Sequence, residues 1–431
     1  MNQATGLLLC LSSLLLPAGA AHAWSEPHHA ITKAALDVLP ASEQDLLGKE
    51  RAPLASDYCL IPDYVFTNKA NARFAAMDAH PGEVYLQRLH LPLDQPENFE
   101  TFRYFIGKAV ESVKAGKTGD AARYLGTICH TIEDFGSPSH TLPGDNQFTL
   151  LQQFLPPPEE MKGRLLHGPV ESGEIEVSIA GYRPQLLGTS VDEAAWHLLH
   201  RVNDEIINAR STTIPIIQAL YAKDEKAVVT HQLKAATFDA RVVADAIHTV
   251  LCQGTGKFDA GQATALKSAP IGACLPLEAV DLHYPQTQFF SQPYYGYPRS
   301  GLILESGKTP RPLKLNVDEK SGPLVDAFLN GISVGMGKPL TFLIPAGVFH
   351  RFTALAGLQA GLGDKGRVEF TVLGDGKPLA TAIVNGTEPA HAFDCDLTGI
   401  TRLQLSAVSR GLDPHSNYAV WAEPMLVKRA D

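Results

Sequence analysis

The sequence predicts a multidomain chain of α-then-β class, a mostly helical unit followed by a β-sandwich. Three observations carry this prediction. Apolar residues recur at three- and four-residue spacing from Trp24 to about Leu251, alternating β-branched runs are scarce there, and from about Pro312 the rhythm changes to short strands punctuated by turns. The 431 residues also exceed the ~150-residue length of an ordinary domain roughly threefold.

Helices are expected at 29–39, 101–115, 119–132, 191–210 and 225–251, where one face of each is apolar. Between about 281 and 315, Tyr284, Phe289, Phe290, Tyr294, Tyr295 and Tyr297 stand among Pro, Gly, Gln and Ser. That mixture breaks both periods and reads as a linker whose rings clamp an interdomain surface or touch lipid. Strands are expected at 339–345, 351–358, 367–374, 382–386, 402–409 and 418–427, with a hairpin turn at Gly374-Asp375-Gly376. Residues 7–17, LLLCLSSLLLP, are too short to span a bilayer and lead to Ala21-His22-Ala23, the pattern of a cleaved signal peptide. The division is therefore a signal peptide at 1–23, a helical domain at 24–280, an aromatic and Pro-rich linker at 281–315 and a sandwich at 316–431. The expected location is secreted or periplasmic, with a mature chain that begins at Trp24.

Composition narrows the function classes. A net charge of −10, from 46 acids against 36 bases, leaves no broad basic surface for nucleic acid or anionic membrane. After cleavage Cys59, Cys129, Cys252, Cys274 and Cys395 remain. An oxidising compartment permits disulfides, with Cys252–Cys274 and Cys59–Cys129 as candidate pairs. None of the five sits in a C-x2-C pattern, which argues against a thiolate zinc site.

The chemistry concentrates in histidine, of which there are 16. YLGTICHTIEDFGSPSH, residues 124–140, spaces His130, Asp134 and His140 as H-x3-D-x5-H. On a helix, His130 and Asp134 share a face and can hold one metal, while a turn at Gly136-Ser137-Pro138 frees His140 to address another. Imidazole with carboxylate suits zinc in a hydrolytic site. Further candidates are His28, His29, His90, Asp57 and Asp63, with His167 and Glu171 repeating the four-residue spacing.

Taken together, residues 24–250 resemble the zinc-dependent phospholipase C and single-strand-nuclease superfamily of secreted phosphodiesterases. The resemblance rests on Trp24 at the mature amino terminus, an early His, an Asp before a further His, YLG-x3-H-x3-D-x3-P-x-H at 124–140, and a later H-x3-E. It implies three zinc ions. Trp24, through its free amine and carbonyl, would hold one with His28, His29 being the alternative, and Asp134 would bridge to its neighbour. His90, His130 and Asp63 would hold that neighbour, with Asp57 as the alternative to Asp63. His140, His167 and Glu171 would hold the third, with His200 and Asp204 as a rival pair.

The catalytic roles implied are a bridging Asp134 and an Asp63 that orients the attacking water. A Glu at position 171, where the nucleases carry Asp, favours a phospholipase acting on the glycerol-side phosphodiester of a phospholipid, with peripheral membrane contact. A single-strand nuclease is the alternative, although the charge gives no expectation of specific nucleic-acid binding. Residues 315–429, through Gly374-Asp375-Gly376-Lys377 and Trp421-Ala422-Glu423-Pro424, resemble the NPCBM carbohydrate-binding domain, a galactose-binding-like jelly roll. That implies a glycan ligand, and leaves an inactive glycan-binding protein as a third reading. The loop of Asp413, His415 and Asn417 reads as solvated.

Overall fold

A computed structural model describes residues 25–63, 95–141, 151–164, 166–274, 276–277, 302–303, 311–317, 330–334, 339–413 and 416–429. Residues 1–23, read above as a signal peptide, together with Trp24, His90, His415 and the aromatic residues of 284–297, lie outside the described residues. The chain folds as a helical unit followed by two packed antiparallel sheets.

The described helices are α1 (Ser25–Asp37), α2 (Ala41–Leu47), α3 (Arg51–Ser56), α4 (Gln95–Lys114), α5 (Thr118–Gly136), α6 (His167–Glu171), α7 (Val191–Ala222), α8 (Glu225–Thr255) and α9 (Ala260–Ala265). The two longest start on side-chain caps. Ser190 accepts from the amide of Glu193 and Asp224 from that of Ala227, which satisfies amides the helix itself cannot. Helix α5 is the centre of the unit, packed on α4, α7, α8 and a 3-10 turn at Tyr58–Leu60. Every residue from Leu125 to Gly136 is buried, so its charged and polar members need partners inside the protein.

Two glycines allow this packing. A Cβ on Gly126 would lie 2.4 Å from the Tyr58 carbonyl carbon and oxygen, and one on Gly136 would lie 2.1 Å from Asp239 Oδ1. The YLG portion of the motif thus lets the 3-10 turn lie directly on α5.

The strands are β1 (Ser268–Pro270), β2 (Leu302–Ile303), β3 (Arg311–Pro312), β4 (Gly331–Val334), β5 (Leu340–Leu343), β6 (Arg351–Leu358), β7 (Arg367–Gly374), β8 (Lys377–Asn385), β9 (His391–Asp396), β10 (Arg402–Ser409) and β11 (Ala419–Val427). One sheet runs β1-β11-β6-β9, with β4 also on β11, and the other runs β5-β10-β7-β8. Inward residues alternate along β7 and β10. Phe342, Phe352, Phe370 and Trp421 fill the space between the sheets. Asp375 and Gly376, at φ 47° and 79°, make the tight β7–β8 hairpin that their sequence predicts.

Strands β1 to β4 and β9 add to those expected. Strand β9 escapes a pattern search because its outward residues are acidic and only Phe393 and Cys395 point inward. Strand β1 directly follows the last helix and pairs with the end of β11, Ser268 opposite Val427 and Pro270 opposite Met425. The two units share a continuous apolar core. Trp196 of α7 donates its indole N–H to the Leu343 carbonyl at 2.7 Å and meets Phe349 edge-on at 5.2 Å. Lys428 pairs with Glu193 at 2.5 Å, again across the junction.

The expected disulfides do not form. Cys59, Cys129, Cys252, Cys274 and Cys395 are all buried free thiols. Cys252 faces Glu43 and His248 instead of Cys274, and Cys59 sits with its sulfur 3.5 Å from the Ala55 carbonyl.

Candidate metal centre

Five elements deliver one cluster. Helix α5 projects His130 and Asp134 one turn apart, α1 brings His28, the segment after the 3-10 turn brings Asp63, and the turn that ends α5 carries His140. Ser137 N–H caps α5 on the Asp134 carbonyl, and His140 N–H donates to the Ser137 carbonyl at 3.1 Å, which folds the chain back over the helix end. Helix α6 supplies His167 and Glu171 and is pinned to α8 by Gln232, whose amide donates to the Val170 and Ser172 carbonyls at 2.9 and 3.1 Å.

Asp134 lies at the junction. Its Oδ1 is 3.6 Å from His28 Nε2 and 3.9 Å from His140 Nδ1, and its Oδ2 is 3.3 Å from His130 Nε2. Asp63 Oδ1 is 3.7 Å from the same His130 nitrogen. Glu171 spans the outer pair, 3.4 Å from His167 Nε2 and 3.8 Å from His140 Nε2. His28, Asp63 and His130 form one group of mutually close donor atoms, and His140, His167 and Glu171 form another. Separations of 3.3–3.9 Å suit donors that share a cation at about 2.0–2.1 Å from each.

The opposite ring nitrogens are tied back. His28 donates Nδ1–H to Glu133 at 2.6 Å, and Thr32 donates its hydroxyl to the other oxygen of Glu133 at 2.6 Å. His130 donates Nδ1–H to the Cys59 carbonyl at 2.7 Å. Each bond fixes the tautomer that turns Nε2 toward the cluster, the arrangement that metal-ligating imidazoles use. The residues present therefore fit a zinc centre in donor chemistry, in spacing and in ring orientation.

The electrostatics agree in kind. Burial pushes Glu133 up to about 8, with Thr32 and His130 opposing it. Glu171 is likewise pushed to about 8 by burial, opposed by the hydroxyls of Ser139 and Ser137, while Asp134 adds to the rise. For His130, burial is the largest influence and acts downward, but the Asp134 and Asp63 carboxylates together outweigh it and the net direction is up. Carboxyls crowded together out of water gain from a cation among them.

The alternatives left open by spacing separate in space. Among the described residues, His29 is in neither group although it follows His28, because the helix turns it to another face. Asp57 is exposed and accepts from Ser56 at 3.2 Å, away from the imidazoles. His200 is buried edge-on against Trp196 at 4.5 Å, and neither it nor Asp204 belongs to a donor group. Trp24 and His90 lie outside the described residues. The supporting residues Glu133, Thr32, Ser137, Ser139 and the Cys59 carbonyl escape sequence reasoning. Glu133 had a faint signal, as an acid one turn from His130 on its helix.

Fold and site together define a helical unit with a buried histidine–carboxylate cluster, joined to an antiparallel sandwich. Residues 304–427 match the model of the NPCBM/NEW2 domain. No curated protein matches the chain. Among solved structures, a carbohydrate-binding module from the Clostridium perfringens GH95 enzyme, in complex with methyl-galactose, is 13% identical over 37% of this chain and 99% of that one, with TM-score 0.28. A second such module with its adjoining domain, from C. perfringens ZmpB in complex with GlcNAc, is 18% identical over 27% of this chain, with TM-score 0.24; this chain spans 25% of its length. The alpha toxin of Clostridium absonum is 10% identical over 95% of each chain, with TM-score 0.33.

Proposed function

We propose that the chain is an exported zinc-dependent phosphodiesterase of the phospholipase C type, which cleaves the glycerol-side phosphodiester of a phospholipid and is docked on a surface glycan by its sandwich. The observation that carries this reading is the convergence of His28, Asp63, His130, Asp134, His140, His167 and Glu171 from separate elements onto one cluster. The NPCBM/NEW2 match supports the glycan role of the second unit.

In this reading His28, Asp63, His130 and Asp134 hold a pair of zinc ions, which Trp24 and His90 complete, and His140, His167 and Glu171 hold a third. Bound there, zinc polarises a phosphoryl oxygen and makes water acidic enough to yield hydroxide near neutral pH. The protein's own part is orientation and proton handling. Asp63, with 10% of its side chain accessible, is placed to accept the proton of an attacking water beside His130. The side chains of His28 and His130 are fully buried, whereas those of His140 and His167 are 23% and 28% exposed. Substrate therefore reaches the cluster from the His140–His167 side, and the phosphate lies against that edge.

The test is release of phosphomonoester from phosphatidylcholine vesicles by the mature protein, abolished by chelator and restored by zinc. No turnover of any lipid by metal-loaded protein would overturn the proposal, and hydrolysis of single-stranded nucleic acid instead would assign the cluster to a nuclease. A chain that retains Ala23 ahead of Trp24 should lose zinc, because the chelating amine becomes an amide.

A further inference from the structure

Outside this cluster, Glu43, His248 and Cys252 form a separate group of close donor atoms. His248 and Cys252 are four residues apart on α8 and share a face, and Glu43 reaches them from the first turn of α2. His248 donates Nδ1–H to Glu43 Oε1 at 2.7 Å. The Cys252 sulfur lies 3.7 Å from the imidazole nitrogens and 3.8 Å from the same carboxylate oxygen. Glu43 Oε2 is buried and accepts no hydrogen bond from the described residues. The side chains of His248 and Glu43 are 8% and 12% exposed, so water can reach the group at one edge.

We infer that Glu43, His248 and Cys252 form a second metal site that takes a borderline-soft divalent cation, zinc foremost, with water in the fourth position. A tetrahedral zinc with Zn–N of 2.0–2.1 Å and Zn–S of 2.3 Å places nitrogen and sulfur about 3.5 Å apart. The sulfur is 3.8 Å from Glu43 Oε1 but equally far, 3.7 Å, from both ring nitrogens, off the Nδ1 lone pair, so the Cys252 side chain must turn to a rotamer beside Nδ1 as the cation enters. The Glu43–His248 contact must open from 2.7 Å by about half an ångström, which one side-chain rotation accomplishes. Binding displaces the proton shared between His248 and Glu43 and the thiol proton of Cys252, so two protons leave as the cation enters. The donor set excludes magnesium and calcium, which require oxygen ligands. The C-x2-C criterion misses this site because its lone thiolate is paired with an imidazole one helical turn away. When filled, the site ties α2, which follows the His28 helix, to the end of α8.

Cobalt substitution separates this site from the larger cluster, whose donors are nitrogen and oxygen. Wild-type protein titrated with cobalt should develop a near-ultraviolet thiolate-to-cobalt charge-transfer band. Cys252→Ser should lose that band and one equivalent of bound zinc, yet keep the cobalt absorption of the histidine–carboxylate cluster. In unmodified protein, zinc should slow alkylation of Cys252 as read by peptide mass spectrometry, so the inference does not depend on the variant folding. A wild-type protein with no thiolate band at saturating cobalt, or with Cys252 alkylated equally fast with and without zinc, would overturn it. Loss of metal from the larger cluster alone leaves the thiolate band intact, so the two sites succeed or fail independently.

Discussion

Gly126 offers a direct test of how the fold builds the site. A Cβ there would stand 2.4 Å from the Tyr58 carbonyl carbon and oxygen and 2.6 Å from its Cβ. Ordinary contact begins near 3.4 Å, so Gly126→Ala requires the 3-10 turn at Tyr58–Leu60 to retreat by about 1 Å. Backbone cannot swing aside as a long side chain can. Overpacking of this kind costs about 2 kcal/mol, which lowers the melting temperature by roughly 4–8 °C in a unit of this size. The retreat also carries away the Cys59 carbonyl, which orients His130, and displaces Asp63 a few residues on. Metal content and hydrolytic activity should fall further than stability alone accounts for.

Gly107→Ala is the matched control. Its Cβ would meet only Val191 Cγ1, at 3.7 Å, and a helical glycine exchanged at an open position gains about 0.4–1 kcal/mol. Thermal melts with metal analysis of both variants settle the matter. Equal melting temperatures and metal contents for Gly126→Ala and wild type would refute the close approach and its link to the site.

Glu133→Ala frees the His28 ring from the bond that fixes its tautomer and should weaken metal retention by about 10–100-fold in a chelator competition, with helicity unchanged by circular dichroism. Glu205 and Asp239 are fully buried together; burial first raises both well above the carboxylate range, Asp239 adding to the rise of Glu205 and Glu133 to that of Asp239 while the Glu205 hydrogen bond opposes it, so the pair keeps a proton at neutral pH. Stability from that proton is complete below the unfolded carboxylate pKa of about 4 and is lost as pH rises, at about 1.4 kcal/mol per pH unit. Urea midpoints from pH 5 to 8 should therefore slope downward in wild type and less steeply in Glu205→Gln, where Glu133, Glu171 and Asp239 still contribute, and parallel lines would count against the shared proton. Trp196→Phe keeps the ring against Phe349 but leaves the Leu343 carbonyl without its donor, costing about 1–3 kcal/mol, and limited proteolysis should then cut first near the junction of the units.

The sequence carried the central helix in full. His130 and Asp134 at four-residue spacing can only share a face, and Gly136-Ser137-Pro138 can only end the helix, so His140 had to leave it. The five long helices and the strands from β5 onward, β9 excepted, followed from period alone, whereas the short α2, α3, α6 and α9 did not. What spacing could not supply were contacts between distant segments. Nothing local marks Glu133 as the partner of His28, 105 residues away, and Asp63 is preferred to Asp57 through the family resemblance and not through spacing. The triad of Glu43, His248 and Cys252 was hidden for the same reason, since its carboxylate is 205 residues from its imidazole. The candidate disulfides do not form: Cys252 is taken up by Glu43 and His248, while Cys59 and Cys129 lie near one another in the core yet remain thiols.

The short strand β1 deserves a last consequence. By laying Ser268–Pro270 against Met425–Val427, the chain fastens its final strand with residues that immediately follow the last helix, well before the stretch at 304–427 that matches the domain model. An excised sandwich that starts at 304 would bare the last three residues of one side of β11, and an uncovered strand edge invites pairing with another copy. The second unit is thus grafted into the first and not hung from it, so any transplant to another protein must include the graft. With the Trp196 and Lys428 contacts added, the two should melt in one cooperative step, and the sandwich stands at a fixed angle to the histidine–carboxylate cluster.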